Sequence, residues 1–333
     1  MNFVGSTVGS VALAGQRLAG LYRRTGADLP FGDPLPSHGT EMEGWFWRLS
    51  DAATGRVVVA LCSENRHPDG EWSTAAIALH PGGVVRSAAV DGVRADRNQF
   101  SVQADSGGNV IDASQDRLRM SLGDTEVDLT FRDAYQWPKA FGGGGVFSSV
   151  PFLNQYWHPY RLGGKASGTV THADQRWAFT DAKLYCERNW GAGFPVRWWW
   201  GQAHDFGEAD ISLAFSGGLL ELGPLKRDVT GVVVRLGDRV LRITPPALVS
   251  STCDVEQWHI TARTARYQVE LKGEGTPDGP HVLPVPLPAE RRNIDTDYEY
   301  LAGTLHCTVR EWGRTIFEGT SELAALEVGS RPS

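Results

Sequence analysis

The stretch Thr230–Ile243, TGVVVRLGDRVLRI, reads as two short runs of Val, Leu and Ile joined by Gly237-Asp238. A two-residue connection of this kind between such runs signals an antiparallel hairpin. The same texture continues in both directions. Gly55–Glu64 (GRVVVALCSE), Thr74–His80 (TAAIALH), Thr125–Asp133 (TEVDLTFRD), Arg176–Tyr185 (RWAFTDAKLY), Gly303–Gly313 (GTLHCTVREWG) and Arg314–Glu327 (RTIFEGTSELAALE) are short and rich in Val, Ile, Thr and aromatics, and many of them alternate. Turn residues separate such segments at the spacing of about 8–12 residues expected of sandwiches or barrels. Helical spacing occurs only near the N-terminus, at Val11, Ala14, Leu18, Leu21 and Tyr22. The class is all-β, mainly antiparallel, with a short N-terminal helix.

Two stretches break the rhythm. Ala140–Tyr160 (AFGGGGVFSSVPFLNQYWHPY) carries a glycine run with no Lys-Ser/Thr after it, so it is not a phosphate loop. It reads as a flexible joint between two β-lobes. The expected division is a helical segment over residues 1–34, a first lobe over 35–150 and a second over 151–333. Thr276–Asn293 (TPDGPHVLPVPLPAERRN) is too proline-rich for a central strand and reads as an extended loop over an edge or a pocket mouth.

The 333 residues carry a net charge of -7 and no dense Lys/Arg run, which argues against a nucleic-acid partner. Cys62, Cys186, Cys253 and Cys307 are widely spaced, giving neither a redox pair nor a zinc knuckle. Reduced thiols in a cytoplasmic protein are the expectation. No segment is long and apolar enough to span a bilayer, and the N-terminus lacks the basic start of an export signal. Its amphipathic helix is expected to dock on the body, with weak membrane-surface contact as the alternative.

Tyr185–Phe206 (YCERNWGAGFPVRWWWGQAHDF) gathers large rings beside ionisable groups. In a strand, side chains alternate faces. Trp198, Trp200, Gln202, His204 and Phe206 then share one face, as do Asp181, Lys183, Tyr185, Glu187 and Asn189 on the preceding segment. Met42–Asp51 (MEGWFWRLSD) places Glu43, Trp45 and Trp47 together. Any one tryptophan is best read as packing. Three segments that each join acids or amides to rings point to a pocket. Acids pressed against rings are desolvated and shift toward the pKa of a general acid, while the ring faces favour a cation. The histidines are scattered, so no metal site can be read from spacing.

These residues also resemble a family. MEGWFWRLSD is similar to the first signature of tocopherol cyclase-like proteins, and YCERNWGAGFP followed by a Trp-rich strand ending in Gln is similar to their second. The resemblance spans roughly residues 35–325. It implies two lipocalin-like β-lobes, close to those of carotenoid hydratases and lipocalin-like Diels–Alderases. It further implies chemistry without a cofactor on an apolar prenylated or polyene substrate. Arg188 stands where Lys is usual, Cys186 and Ala192 depart from the pattern, and Phe46-Trp47 replaces Tyr-Phe. The pocket is therefore expected to be shaped for its own substrate.

The resulting expectation is an intramolecular cyclase of a terpenoid or prenylated aromatic. Glu187 or Asp181 is the expected proton donor and Glu43 the next candidate. Tyr185, Asn189 and Gln202 would orient the substrate. Trp45, Trp190, Trp198, Trp200 and His204 would form the wall. The competing role for Glu187 is an ion pair with Arg188 or Arg197. The competing functions are a pericyclase acting by shape control, a hydratase, and a carrier of an apolar ligand.

Overall fold

The computed structural model describes residues 17–135, 137–138 and 140–332. Residues 17–23 are helical, while Val11 and Ala14 of the expected helix lie outside the described residues. Among the described residues, no helix is long and apolar enough to cross a membrane.

Apart from two short 3-10 turns, the remaining regular structure among the described residues is antiparallel β-structure, in two sheets that follow one plan. Each sheet is a meander curled until its opening strand pairs with its last. In the first, Met42–Asp51 lies between Arg56–Asn65 and the 17-residue strand Gln175–Gly191. In the second, Arg197–Ala203 lies between Ile211–Leu222 and Arg314–Ser330. Each curl wraps its own apolar core. Trp45, Trp47, Leu49, Trp177 and Phe179 belong to the first, and Phe215, Trp258, Leu271 and Leu326 to the second. The hairpin read at Gly237-Asp238 joins Leu225–Leu236 to Arg239–Ile243. The cysteines are all unpaired.

The lobe boundary differs from the expected one. The chain leaves the first sheet at Gly191 and enters the second at Arg197, so strands Gln155–Arg161, Lys165–His172 and Gln175–Gly191 belong to the first lobe. The glycine run near Gly144 therefore falls inside the first lobe, where it precedes a short 3-10 turn, Gly145–Ser149. Glycine and a missing helix-period signal marked irregular backbone there, but not which sheet the next strands would join. The proline-rich segment also differs. His281–Leu287 is a strand, placed at the margin of the sheet and paired, among the described residues, with Arg292–Glu311 alone. Proline is tolerated there because one edge of the strand needs no ladder donors.

The lobes meet through the outer faces of their central strands. Phe46 and Tyr185 from the first lobe pack with Trp200, Ala214 and Ala325 from the second. Leu283 and Leu301 of the second lobe cover Val57, Val59 and Ala78 of the first. Arg48, fully buried, crosses this seam. Its Nη1 donates to Oε1 of Gln202 (2.8 Å), and its Nη2 donates to the carbonyls of Leu301 (3.1 Å) and Leu323.

Candidate active site

The two acid-and-aromatic segments, far apart in sequence, are adjacent strands. Phe46 stands opposite Glu187, and Gly44 opposite Asn189. A side chain at Gly44 would place its Cβ 2.0 Å from Oδ1 of Asn189, so the amide occupies the space that glycine leaves. At this point the seam between the lobes opens into a cleft. Phe46, Trp157, Glu187 and Asn189 form one wall, and Trp198, Trp200, Asp297, Glu299 and Glu327 the other.

Glu187 is 7% exposed. Its Oε2 accepts three hydrogen bonds, from Nε1 of Trp157 (2.7 Å), Nε1 of Trp200 (2.7 Å) and the Tyr185 hydroxyl (2.5 Å). Burial pushes its pKa up to about 7, even though those three donors favour the carboxylate. With Oε2 fully engaged, the proton of a neutral Glu187 belongs on Oε1. The competing ion-pair role does not occur here. Arg188 points to the opposite side of the strand, and Arg197 pairs with Asp228 at the surface (2.8 Å).

Three further carboxylates line the same cleft. Glu327 accepts the Trp198 N–H, and burial raises its pKa to about 7. Asp297 and Glu299 are pushed well above the usual carboxylate range, first by burial and then by the neighbouring acids. The Trp198 ring packs against Gly329, where a Cβ would come 2.0 Å from the indole. That contact aims the N–H at Glu327.

The expected site residues divide as follows. Glu187, Asn189, Trp198 and Trp200 line the cleft, and Tyr185 touches it through Glu187. Trp45 borders the cleft, but its ring packs in the first core. Trp190 lies away from it, donating to the carbonyl of Gly26 (2.7 Å) and stacking on Tyr156. Gln202 and His204 sit deeper in the seam beside Arg48. Burial holds His204 down near a pKa of about 3, so it is neutral at physiological pH.

Two of the expected acids are elsewhere. Asp181 is on the surface, bridged to Arg132, whose hydrogen bond holds it below the usual range. Uninterrupted alternation had placed it on the face of Glu187. A bulge breaks that alternation: Ala182 pairs with Ala166 and Phe179 with Gly168, so Thr180 and Asp181 together oppose Ser167. Asp181 has φ 57°. Before the bulge Trp177 and Phe179 face the core; after it Leu184 and Cys186 do, and Tyr185 and Glu187 face the cleft.

Glu43 is fully buried inside the first lobe, paired with Nη2 of Arg188 (2.6 Å). It also accepts backbone N–H groups from His38 (2.9 Å) and Thr40 (3.2 Å). Burial alone would raise its pKa, but the Arg188 charge and these donors outweigh burial and hold it below the usual range. A carboxylate held ionised this way does not donate protons near neutrality. Arg188 completes the unit by stacking 4.6 Å from the Trp45 ring centroid and donating to the carbonyls of Leu35 and Pro36.

Asp297, Glu299, Glu327 and Trp157 were missed in the sequence. The available signal was spacing. Asp297 and Glu299 are two residues apart and share a face, and Glu327 follows the apolar run LAAL.

A model of the tocopherol cyclase-like family matches residues 121–330. The chain belongs to the tocopherol cyclase-like family. Among curated relatives, the probable chloroplastic tocopherol cyclase of Oryza sativa subsp. japonica is 27% identical over 221 residues, covering 62% of this chain and 47% of that one. The chloroplastic tocopherol cyclase of Zea mays is 26% identical over 219 residues, covering 62% and 46%. The chain thus spans about half the length of the curated relatives it matches. Among solved structures, CghA with Sch210972 superposes with a TM-score of 0.59 at 12% identity, over 87% of this chain and 88% of that one. Kievitone hydratase from Nectria haematococca gives 0.53 at 13% identity, over 90% and 92%. These structures share the lipocalin-like, two-lobed all-β fold with this member of the family.

Proposed function

We propose that the chain is an intramolecular cyclase of a terpenoid or prenylated aromatic, working without a cofactor, with Glu187 as proton donor. One observation carries the reading. A buried carboxyl with a pKa of about 7 has one oxygen saturated by three donors, which leaves the other to carry the proton into an aromatic cleft. The Oε1 proton passes to one carbon of a substrate double bond. Positive charge develops on the more substituted carbon, near the π faces of Trp157, Trp198 and Trp200. An internal nucleophile closes the ring and gives up a proton that returns to the Glu187 carboxylate, so the acid is regenerated and mass is unchanged. The donors on Oε2 favour the carboxylate that remains. Membership of the tocopherol cyclase-like family supports the same class of chemistry.

The test is incubation with prenylated phenols and linear polyene terpenoids, followed by mass and retention time. A product of unchanged mass and shifted retention is expected, with Glu187→Gln reducing turnover by a factor on the order of 10²–10⁴. Asp181→Asn is the surface control and should stay within about twofold of the parent. Full turnover by Glu187→Gln would remove acid catalysis and favour shape control. Ligand recovered unaltered after long incubation would favour a carrier, and a gain of one water a hydratase.

A further inference from the structure

Across the cleft from Glu187, the second lobe presents three acids on two neighbouring strands. Asp297 and Glu299 lie on Arg292–Glu311, and Glu327 lies on Arg314–Ser330, opposite Glu299. Glu327 has a donor in Trp198. Glu299 has none among the described residues: it is 0% exposed, and neither carboxyl oxygen has a hydrogen-bond partner there. Oδ1 of Asp297, in a residue 6% exposed, is also unpartnered. Buried carboxyl oxygens are ordinarily satisfied, because an unmade hydrogen bond costs the full desolvation of the group. Both residues line the cleft. Their missing partners are therefore to be sought in what the cleft holds.

We propose that Glu299, with Asp297 beside it, forms a polar subsite that receives an O–H or N–H donor on an otherwise apolar ligand. The aromatic wall of Trp157, Trp198 and Trp200 takes the hydrocarbon part. The two ends of the cleft are then chemically distinct. On the first-lobe side, Glu187 has its acceptor oxygen filled by protein donors. On the second-lobe side, acceptors stand empty. A ligand bearing one donor group has one orientation that satisfies them, with its chain directed toward Glu187. This deepens the cyclase reading by naming the polar end of the substrate and rests on that reading only for its role in turnover; the binding itself needs none.

The experiment compares geraniol with geranyl methyl ether, which differ in the hydroxyl donor, by calorimetric titration of the full chain. The parent protein is expected to prefer the alcohol by a factor on the order of ten or more, because the ether leaves the buried acceptors unpaired. Glu299→Leu should bring the two ligands within about twofold, while the surface variant Asp181→Asn should keep the preference. Glu299→Met provides the same comparison should the leucine variant not fold: it keeps the unbranched length but removes the carboxyl acceptors, so the preference should shrink. Equal affinities in the parent, a preference that survives in the Glu299 variants, or no saturable binding of either compound would each overturn the subsite. Preference for the alcohol without turnover of any polyene or prenylated phenol would sink the cyclase reading alone. Turnover without preference would sink the subsite alone.

Discussion

Glu299 and Glu327 stand directly opposite one another on adjacent antiparallel strands, both buried, with Glu187 facing them from the other lobe. Burial disfavours charge on all three, and the neighbouring acids add repulsion at Glu299 and Glu187, so protonation relieves them. Glu187 and Glu327 shift from a usual value of 4.5 to about 7 on folding. Between those values the native chain holds protons that the unfolded chain has released, and stability falls as pH rises through that window. The Glu187 shift corresponds to about 3 kcal/mol lost by pH 8. Urea midpoints at pH 5 and pH 8 should differ in that direction, and Glu327→Gln should narrow the gap. Equal midpoints in the parent would contradict the burial of these acids.

A neutral Glu187 as the donor gives kcat/KM a plateau below its pKa of about 7 and a tenfold fall per pH unit above it. The Trp200 N–H favours the ionised form, so Trp200→Phe should move the alkaline limb to higher pH. The move should be about one unit for a charge-assisted hydrogen bond. A limb that stays put or moves to lower pH would separate Glu187 from the titration.

The Glu43–Arg188 pair is structural, and its loss should appear in stability. Arg188→Met leaves a buried carboxylate without its cation, a change of about 3–5 kcal/mol. Adding Glu43→Gln to that variant should recover part of the loss, as measured by denaturant unfolding. Strictly additive losses would mean that the two side chains do not depend on each other.

Gly329 is the floor on which the Trp198 ring rests. Gly329→Ala should displace the indole and cost about 1–3 kcal/mol. It should also change the tryptophan emission, because the Trp198 N–H loses its seat on Glu327. An unchanged spectrum and melting temperature would show that the ring is not held there.

The strands were legible because burial on one face imposes alternation, and a Gly-Asp pair between β-branched runs has few other readings. The pairing of the two signature segments was not, since nothing in either sequence names its partner strand. Glu187 and Trp200 were visible because acids and rings crowd one short stretch, whereas Trp157 lies outside it. Asp297, Glu299 and Glu327 were not, because an acid at alternate positions of a strand looks the same whether that face meets water or another lobe. Glu43 and Asp181 looked like active-site acids for a related reason. Arg188 and Arg132, which hold them ionised, are brought to them only by the folded sheet.

The bulge at Thr180–Asp181 sets what the long strand Gln175–Gly191 offers to each neighbour. It acts as a half-step in a two-beat rhythm. The strand's first half spends its bulky side chains on filling the first lobe, and its second half turns the complementary set toward the other lobe. Were that step flattened into plain alternation with every residue kept, the two sets would exchange. Leu184 and Cys186 would then look into the cleft, and Glu187 would be driven into the oily centre of the first lobe. The chemistry of this protein hangs on the phase of a single strand.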